Sequence, residues 1–174
     1  MFNRLKSALF TGSGEKYRKN YKYYIFQSSL IFGVVSLILL LYEFFGGIFV
    51  ASLGGSGFSL FIFPHANASR AKCVIGGYMC GAVAGILFNL LYNFIYGFNF
   101  AGNEYVLILI CAAASAVTAF LMITLDMVHS PAAALALGLA KGPDCVKTAI
   151  AAIAGAVILC VFKRILDKYL KNLI

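Results

Sequence analysis

Asp126, His129, Ser130 and Pro131 are the residues whose types and spacing most clearly indicate a functional site in this 174-residue chain. Serine followed by proline is typical of a helix start, because serine accepts hydrogen bonds from free backbone N–H groups and proline fits the first helical position. A helix that begins inside an apolar layer points its partly positive end inward, which favours an anion. Ionisable residues in an apolar run usually face a cavity or a partner, so Asp126 and His129 are predicted to line this site. The alternative is a structural Asp–His pair, spaced i, i+3, in which the two side chains hydrogen-bond to each other or to nearby backbone groups.

A second group of small and polar residues lies earlier in the chain. Gly55, Ser56 and Gly57 fall within the apolar stretch 46–63, whose five glycines predict a helix break near residues 54–57. Ser56 would then cap a short helix of its own. Two helix starts, near Ser56 and Ser130, are predicted to meet at the membrane midplane around a small anion. The alternative for these glycines is close helix packing.

Patterns typical of enzymes and cofactor-binding proteins are absent from the sequence. It contains no nucleophile elbow, no H-E-x-x-H and no phosphate-binding P-loop, so no enzyme, energy-coupled pump or cofactor is expected. The five cysteines form no C-x-x-C pair and the two histidines lie far apart, which argues against a metal site.

The composition indicates a multi-pass membrane protein with the lipid bilayer as its main partner. Hydrophobic residues make up 62% and charged residues 11% of the chain, against roughly 45–50% and 25% in soluble domains. Four stretches are long enough to span a bilayer, namely 24–42, 74–96, 105–125 and 146–162. The stretches 46–63 and 130–140 are broken or half-length. The predicted fold is therefore all-α, with four full transmembrane helices and two broken or half-spanning ones.

The distribution of positive charge predicts how these segments are oriented. Of 14 Lys and Arg residues, six precede residue 25 and four follow residue 162, so both termini are predicted to be cytoplasmic, in a cell inner membrane or plasma membrane. Orientation in the membrane therefore explains the excess of basic residues, and no nucleic-acid partner is expected. Arg70 and Lys72 place the loop 64–72 inside, where they would attract anions to a cytoplasmic mouth. The loop 97–104 is then outside, and the segments form two inverted three-element repeats. Re-entrant short segments are the alternative, which the net positive loop around Lys141 favours.

The sequence divides into three regions. Residues 1–22 are predicted to form an amphipathic cytoplasmic segment, residues 23–166 a single transmembrane domain with repeats 23–96 and 103–166, and residues 167–174 a cytoplasmic tail. Gly77, Gly81 and Gly85 form a doubled G-x-x-x-G face, and Ala151 with Gly155 repeats the spacing. Such faces pack membrane helices closely, between repeats or between the subunits of a homo-oligomer.

Three short segments, in their order and spacing, resemble the HPP family of integral membrane proteins. They are residues 129–134 (HSPAAA), residues 54–56 (GGS), and Pro64 followed by residues 74–77 (VIGG). The similarity extends over roughly residues 25–162. Family members have four spanning helices, and plastid members are linked to nitrite transport.

This resemblance implies a passive channel or carrier for nitrite or a similar small anion. The chain departs from the family pattern at five positions: Ser130 replaces a proline, Ala133 a glycine, Lys72 an arginine, Cys73 an asparagine and Tyr78 a histidine. The alternative function, from another class, is a non-transporting structural or regulatory membrane subunit that binds a partner through its glycine-rich faces.

Overall fold

The structure, a computed structural model, describes residues 21–37, 40, 48–95 and 104–173. These residues form helices joined by short turns and loops, and they contain no strand. The helices are α1 (21–37), α2 (Ile48–Ile62), α3 (Ala71–Ile95), α4 (Glu104–Thr124), α5 (Pro131–Lys141) and α6 (Cys145–Leu166), with 3₁₀ turns at Asn67–Ser69 and Asp167–Tyr169.

Three of the described helices are long and apolar enough to cross a membrane, namely Ala71–Ile95, Glu104–Thr124 and Cys145–Tyr169. They confirm the second, third and fourth predicted spans, while α2 and α5 are shorter apolar helices. The first predicted span extends past α1 into residues outside the described part, where most of the segment 1–22 and of the loop 97–104 also lies. The prediction of an all-helical, multi-pass membrane protein is confirmed.

The predicted helix break near residues 54–57 is wrong, because α2 continues unbroken from Ile48 to Ile62. Each helical glycine costs about 1 kcal/mol relative to alanine, but the burial of Leu53, Leu60 and Phe61 on the same helix outweighs that cost. A Cβ built on Gly55 would lie 3.5 Å from the Pro131 side chain, which is an ordinary contact distance. Ser56 therefore lies inside a helix and caps nothing.

At one end of the bundle lie the loops 63–70 and 125–130 and residues 170–173. We call this end the basic end. The amide of Gln27 donates to the carbonyl oxygens of Phe61 at 2.6 Å and Lys171 at 2.9 Å. The N–H of Leu173 donates to Ile62 O at 3.2 Å, and Leu173 is buried. The last described residues thus pack against α1 and α2.

The helices alternate in direction about the basic end. α1, α3 and α5 begin there, whereas α2, α4 and α6 end there, as shown by contacts between residues distant in sequence. Lys72 at the start of α3 pairs with Asp126 after α4, at 3.4 Å. Ser69, before α3, lines one cavity with Lys163 and Arg164 of α6. Each half of the chain therefore supplies three helices in alternating directions.

The small-residue face of α3 packs against α5. Built Cβ atoms would lie 2.5 Å from Ala132 O at Gly81 and 2.7 Å from Leu139 Cβ at Gly85. At Gly77 a Cβ would lie 2.9 Å from His129 Cβ. These contacts advance along both helices together, so α5 runs in the same direction as α3. The face predicted to pack closely does so within the chain.

The second small-residue face also packs partly against a helix of the same chain. A Cβ built on Gly155 of α6 would lie 2.6 Å from Leu53 Cδ1 of α2. Ala151 and Gly155 remain partly exposed and line an apolar groove, so the homo-oligomer or partner complex predicted for these faces stays a prediction.

Asn89 of α3 terminates α5. Its side-chain amide donates to the carbonyl oxygens of Leu139 at 3.1 Å, Ala140 at 3.3 Å and Gly142 at 2.9 Å. The last carbonyls of a helix have no partner within the helix, and in an apolar environment an unpaired carbonyl is costly. Asn89, which is buried, therefore lets the short helix end inside the bundle.

Replacing Asn89 with alanine is expected to lower the stability of the bundle by about 1–3 kcal/mol, because buried acceptors lose their donor. The measurement is thermal unfolding of the detergent-solubilised chain. Asn93→Ala is the matched control, since the exposed Asn93 donates to Asn89 Oδ1 and not to α5. Equal melting temperatures for the two variants would contradict this role of Asn89.

Candidate functional site

Four polar side chains from three parts of the fold meet inside the bundle. Ser52 and Ser56 lie one turn apart on the same face of α2, as expected for residues spaced i, i+4. Tyr78 projects from α3 and His129 from the loop that enters α5. All four are fully buried, with 0% of each residue exposed. We call them the polar chain.

Hydrogen bonds connect these side chains in order. Ser52 Oγ lies 2.8 Å from Tyr78 Oη, which lies 2.8 Å from Ser56 Oγ. Ser56 Oγ lies 2.8 Å from His129 Nε2, and His129 Nδ1 lies 2.9 Å from the carbonyl oxygen of Ala68. The chain therefore runs from the middle of α2 to the loop at the basic end.

The carbonyl of Ala68 determines which way these bonds point when the imidazole is neutral. A carbonyl oxygen only accepts, so His129 Nδ1 carries the hydrogen and Nε2 is an acceptor. Ser56 then donates to Nε2, Tyr78 donates to Ser56, and Ser52 donates to Tyr78. Ser56 has a second acceptor in reach, the Ser52 carbonyl oxygen at 3.1 Å. One added proton on Nε2 would thus redirect the Ser56 hydroxyl without breaking the fold.

The start of α5 lies beside this cluster. Pro131 occupies the first turn as predicted, but Ser130 makes no side-chain capping hydrogen bond. Its backbone is helical, with φ −54° and ψ −35°, whereas a capping serine usually has an extended backbone. Ser130 is also exposed. Of the two residues predicted together there, His129 faces the interior and Ser130 faces outward.

Asp126 does not join His129. Its side chain is 97% exposed and pairs with Lys72 at 3.4 Å, and its φ of 52° is left-handed. The N–H of Met127 donates to Met122 O at 2.9 Å, and that of Asp126 to Ile123 O at 3.3 Å. This is the bonding of a Schellman motif. Asp126 therefore ends α4 by its backbone conformation.

Substitution of Asp126 distinguishes this backbone role from a role of its charge. Asp126→Asn is expected to leave stability within about 1 kcal/mol, because an exposed ion pair contributes little and asparagine tolerates a left-handed backbone. Asp126→Val is expected to cost about 1–3 kcal/mol more, because a β-branched residue is strained there. Thermal unfolding of both variants tests this, and equal losses would contradict it.

The predicted site residues thus divide into two groups. Ser56 and His129 are joined by a hydrogen bond, with Gly55 and Gly57 flanking Ser56 in α2. The other group is exposed at the basic end, and it comprises Arg70, Lys72, Asp126 and Ser130. The structure does not bring that second group to the polar chain.

Two functional roles were not predicted from the sequence: the position of Tyr78 at the centre of the polar chain and the capping of α5 by Asn89. Both are polar residues within the apolar run of α3, and polar groups inside a membrane segment usually have a partner. The occurrence of a polar residue within an apolar run could therefore have identified both Tyr78 and Asn89. The described cysteines are buried and free, and no three His, Cys, Asp or Glu side chains cluster within the described ranges in a way that suits a metal ion.

Comparison with protein families gives a match over most of the chain. No curated protein and no solved structure matches the chain. Residues 16–172 match the family described as HPP, transmembrane region. Since this match covers all six helices and most of the sequence, the chain belongs to the HPP transmembrane family.

Proposed function

We propose that this protein transports a small inorganic anion, nitrite being the expected one, and that Ser56 and His129 form its binding centre. The observation that carries this proposal is the polar chain itself, four fully buried polar side chains within a bundle of membrane-spanning helices. Polar and ionisable groups at such positions are costly and usually serve a pathway for a solute. Membership of the HPP family, whose plastid members are linked to nitrite transport, supports the choice of nitrite.

The chemistry of the two side chains suits an anion with oxygen atoms. The Ser56 hydroxyl is a donor, and Nε2 of His129 becomes a second donor when protonated. The N-terminal end of α5, directly after His129, adds its partly positive dipole end. An anion between Ser56 and His129 would replace their mutual hydrogen bond with two stronger, charge-assisted ones.

The alternating helices suit a transport cycle. α1–α3 and α4–α6 would each cross the membrane three times as inverted repeats, with the binding centre where α2 of one half meets the start of α5 of the other. The cations at the basic end, including Arg70 and Lys72, orient that end to the cytoplasm. Because the polar chain is fully buried, this conformation is a closed one, and a carrier describes it better than an open channel.

Nitrite uptake into proteoliposomes tests the proposal. Vesicles containing the purified full chain are mixed with nitrite, and protein-free vesicles prepared in parallel measure the leak of nitrous acid through lipid. The expected result is saturable uptake well above this leak. Uptake equal to that of protein-free vesicles would overturn the proposed function.

A further inference from the structure

Within the described residues, the surroundings of the polar chain contain no permanent positive charge, and this limits how an anion can be held there. A bare anion in an apolar interior is strongly disfavoured unless it has a counter-charge. Ser52, Ser56 and Tyr78 provide hydroxyl groups, which donate hydrogen bonds but carry no charge at neutral pH. His129 can carry that charge. We infer that the transporter moves one proton with each anion, held on Nε2 of His129; this rests on the proposed function.

The groups that face His129 support this assignment element by element. α2 contributes Ser56 and α3 contributes Tyr78, whose ring centroid lies 5.9 Å from that of His129. From α4, Met122 Sδ lies 3.5 Å from the backbone N of His129. From α6, Cys160 lies in the same buried cluster as Tyr78. A phenol and a thiol are both uncharged at neutral pH, so neither supplies a positive charge.

The charged residues that the structure describes at the basic end do not provide it either. Lys72 pairs with Asp126 at 3.4 Å and Lys163 pairs with Asp167 at 3.0 Å, so each pair is neutral as a whole. The other cations described there are exposed, among them Arg70, Arg164, Lys168 and Lys171, whereas His129 is fully buried. The proton on the imidazole therefore has to balance the anion.

The hydrogen bonds are already arranged to accept that proton. A proton from water on the entry side, or from the acid form of the anion, forms a bond to the Nε2 lone pair. The Ser56 hydroxyl, no longer able to donate to Nε2, turns to the anion or to the Ser52 carbonyl oxygen 3.1 Å away. His129 Nδ1 keeps its bond to Ala68 O. On the exit side the Nε2–H bond breaks, and proton and anion leave together.

The effect of a membrane potential on nitrite uptake distinguishes this mechanism from transport of a bare anion. Proteoliposomes of the full chain are loaded with potassium and given an inside-negative potential with valinomycin, and nitrite uptake and internal pH are recorded together. Protein-free vesicles give the nitrous acid leak, which is subtracted. A bare anion would be excluded from the lumen by about 50-fold at 100 mV. Cotransport with one proton is electroneutral, so uptake should change less than twofold and acidify the lumen by one proton per nitrite.

The outcomes are distinct. Protein-dependent uptake that is unaffected by potential supports the inference. Protein-dependent uptake that falls steeply with potential, without acidification, overturns proton coupling and leaves anion transport standing. Absence of protein-dependent uptake overturns the proposed function and this inference with it. His129→Gln, which bonds but cannot hold a proton, is expected to lose the electroneutral uptake, and full retention of it would also overturn the inference.

Discussion

Nitrite uptake by His129→Ala proteoliposomes is expected to fall about tenfold to a hundredfold below that of the parent chain. This range follows from the loss of one charge-assisted hydrogen bond to the anion, worth about 1.5–3 kcal/mol. Ser56→Ala is expected to have an effect of similar size, because Ser56 and His129 hold the anion together.

The control for this prediction is Thr118→Val. Thr118 is fully buried like Ser56, but its hydroxyl donates to Ala114 O at 2.7 Å within its own helix. Its replacement therefore removes a buried hydroxyl without touching the polar chain, and uptake should stay within about twofold of the parent. Thermal unfolding of all three variants shows that each is folded. Parent-like uptake by a folded His129→Ala variant would contradict the proposed site.

Replacing Gly81 with alanine is expected to destabilise the bundle by about 1–3 kcal/mol, as overpacking a close contact does. The added Cβ would lie 2.5 Å from Ala132 O, a backbone atom that can move only if α3 and α5 separate. Gly81→Leu is expected to prevent assembly altogether. The measurement is thermal unfolding of the purified variants, together with the yield of folded protein.

Gly33→Ala is the matched control for this second prediction. A Cβ built on Gly33 would meet nothing within 4 Å, and alanine is the better helix former by about 1 kcal/mol. The control should therefore be as stable as the parent chain or more so. If Gly81→Ala and Gly33→Ala behave alike, α3 and α5 are not packed as described.

The long helices and the position of α5 could be predicted from the sequence because each depends on local information. A run of about 20 apolar residues is sufficient to predict a span, and Ser130 before Pro131 marks a helix start. The break in α2 was predicted from glycine propensity alone. It does not occur, because Leu53, Leu60 and Phe61 of α2 are buried against the rest of the bundle, and the sequence does not reveal that tertiary packing.

Prediction of the site was likewise limited by the absence of tertiary packing information in the sequence. Ser56 and His129, 73 residues apart, were expected to meet, and they share a hydrogen bond of 2.8 Å. Asp126 was expected beside them because it is near in sequence, but the end of α4 turns its backbone so that the side chain faces outward. Tyr78 completes the polar chain because α3 directs its side chain towards Ser52 and Ser56. The residue type alone does not indicate that direction.

Nitrogen-15 NMR of histidine-labelled protein in liposomes detects the proton that His129 is proposed to hold. The chain has two histidines, so His65→Gln, which changes an exposed loop residue, leaves His129 as the only labelled ring. Without nitrite at neutral pH, Nδ1 is expected to be protonated and Nε2 unprotonated. Nitrite should convert Nε2 to a protonated nitrogen over the concentration range that saturates uptake. An Nε2 signal that stays unchanged while nitrite uptake saturates would contradict a proton held on His129 during transport.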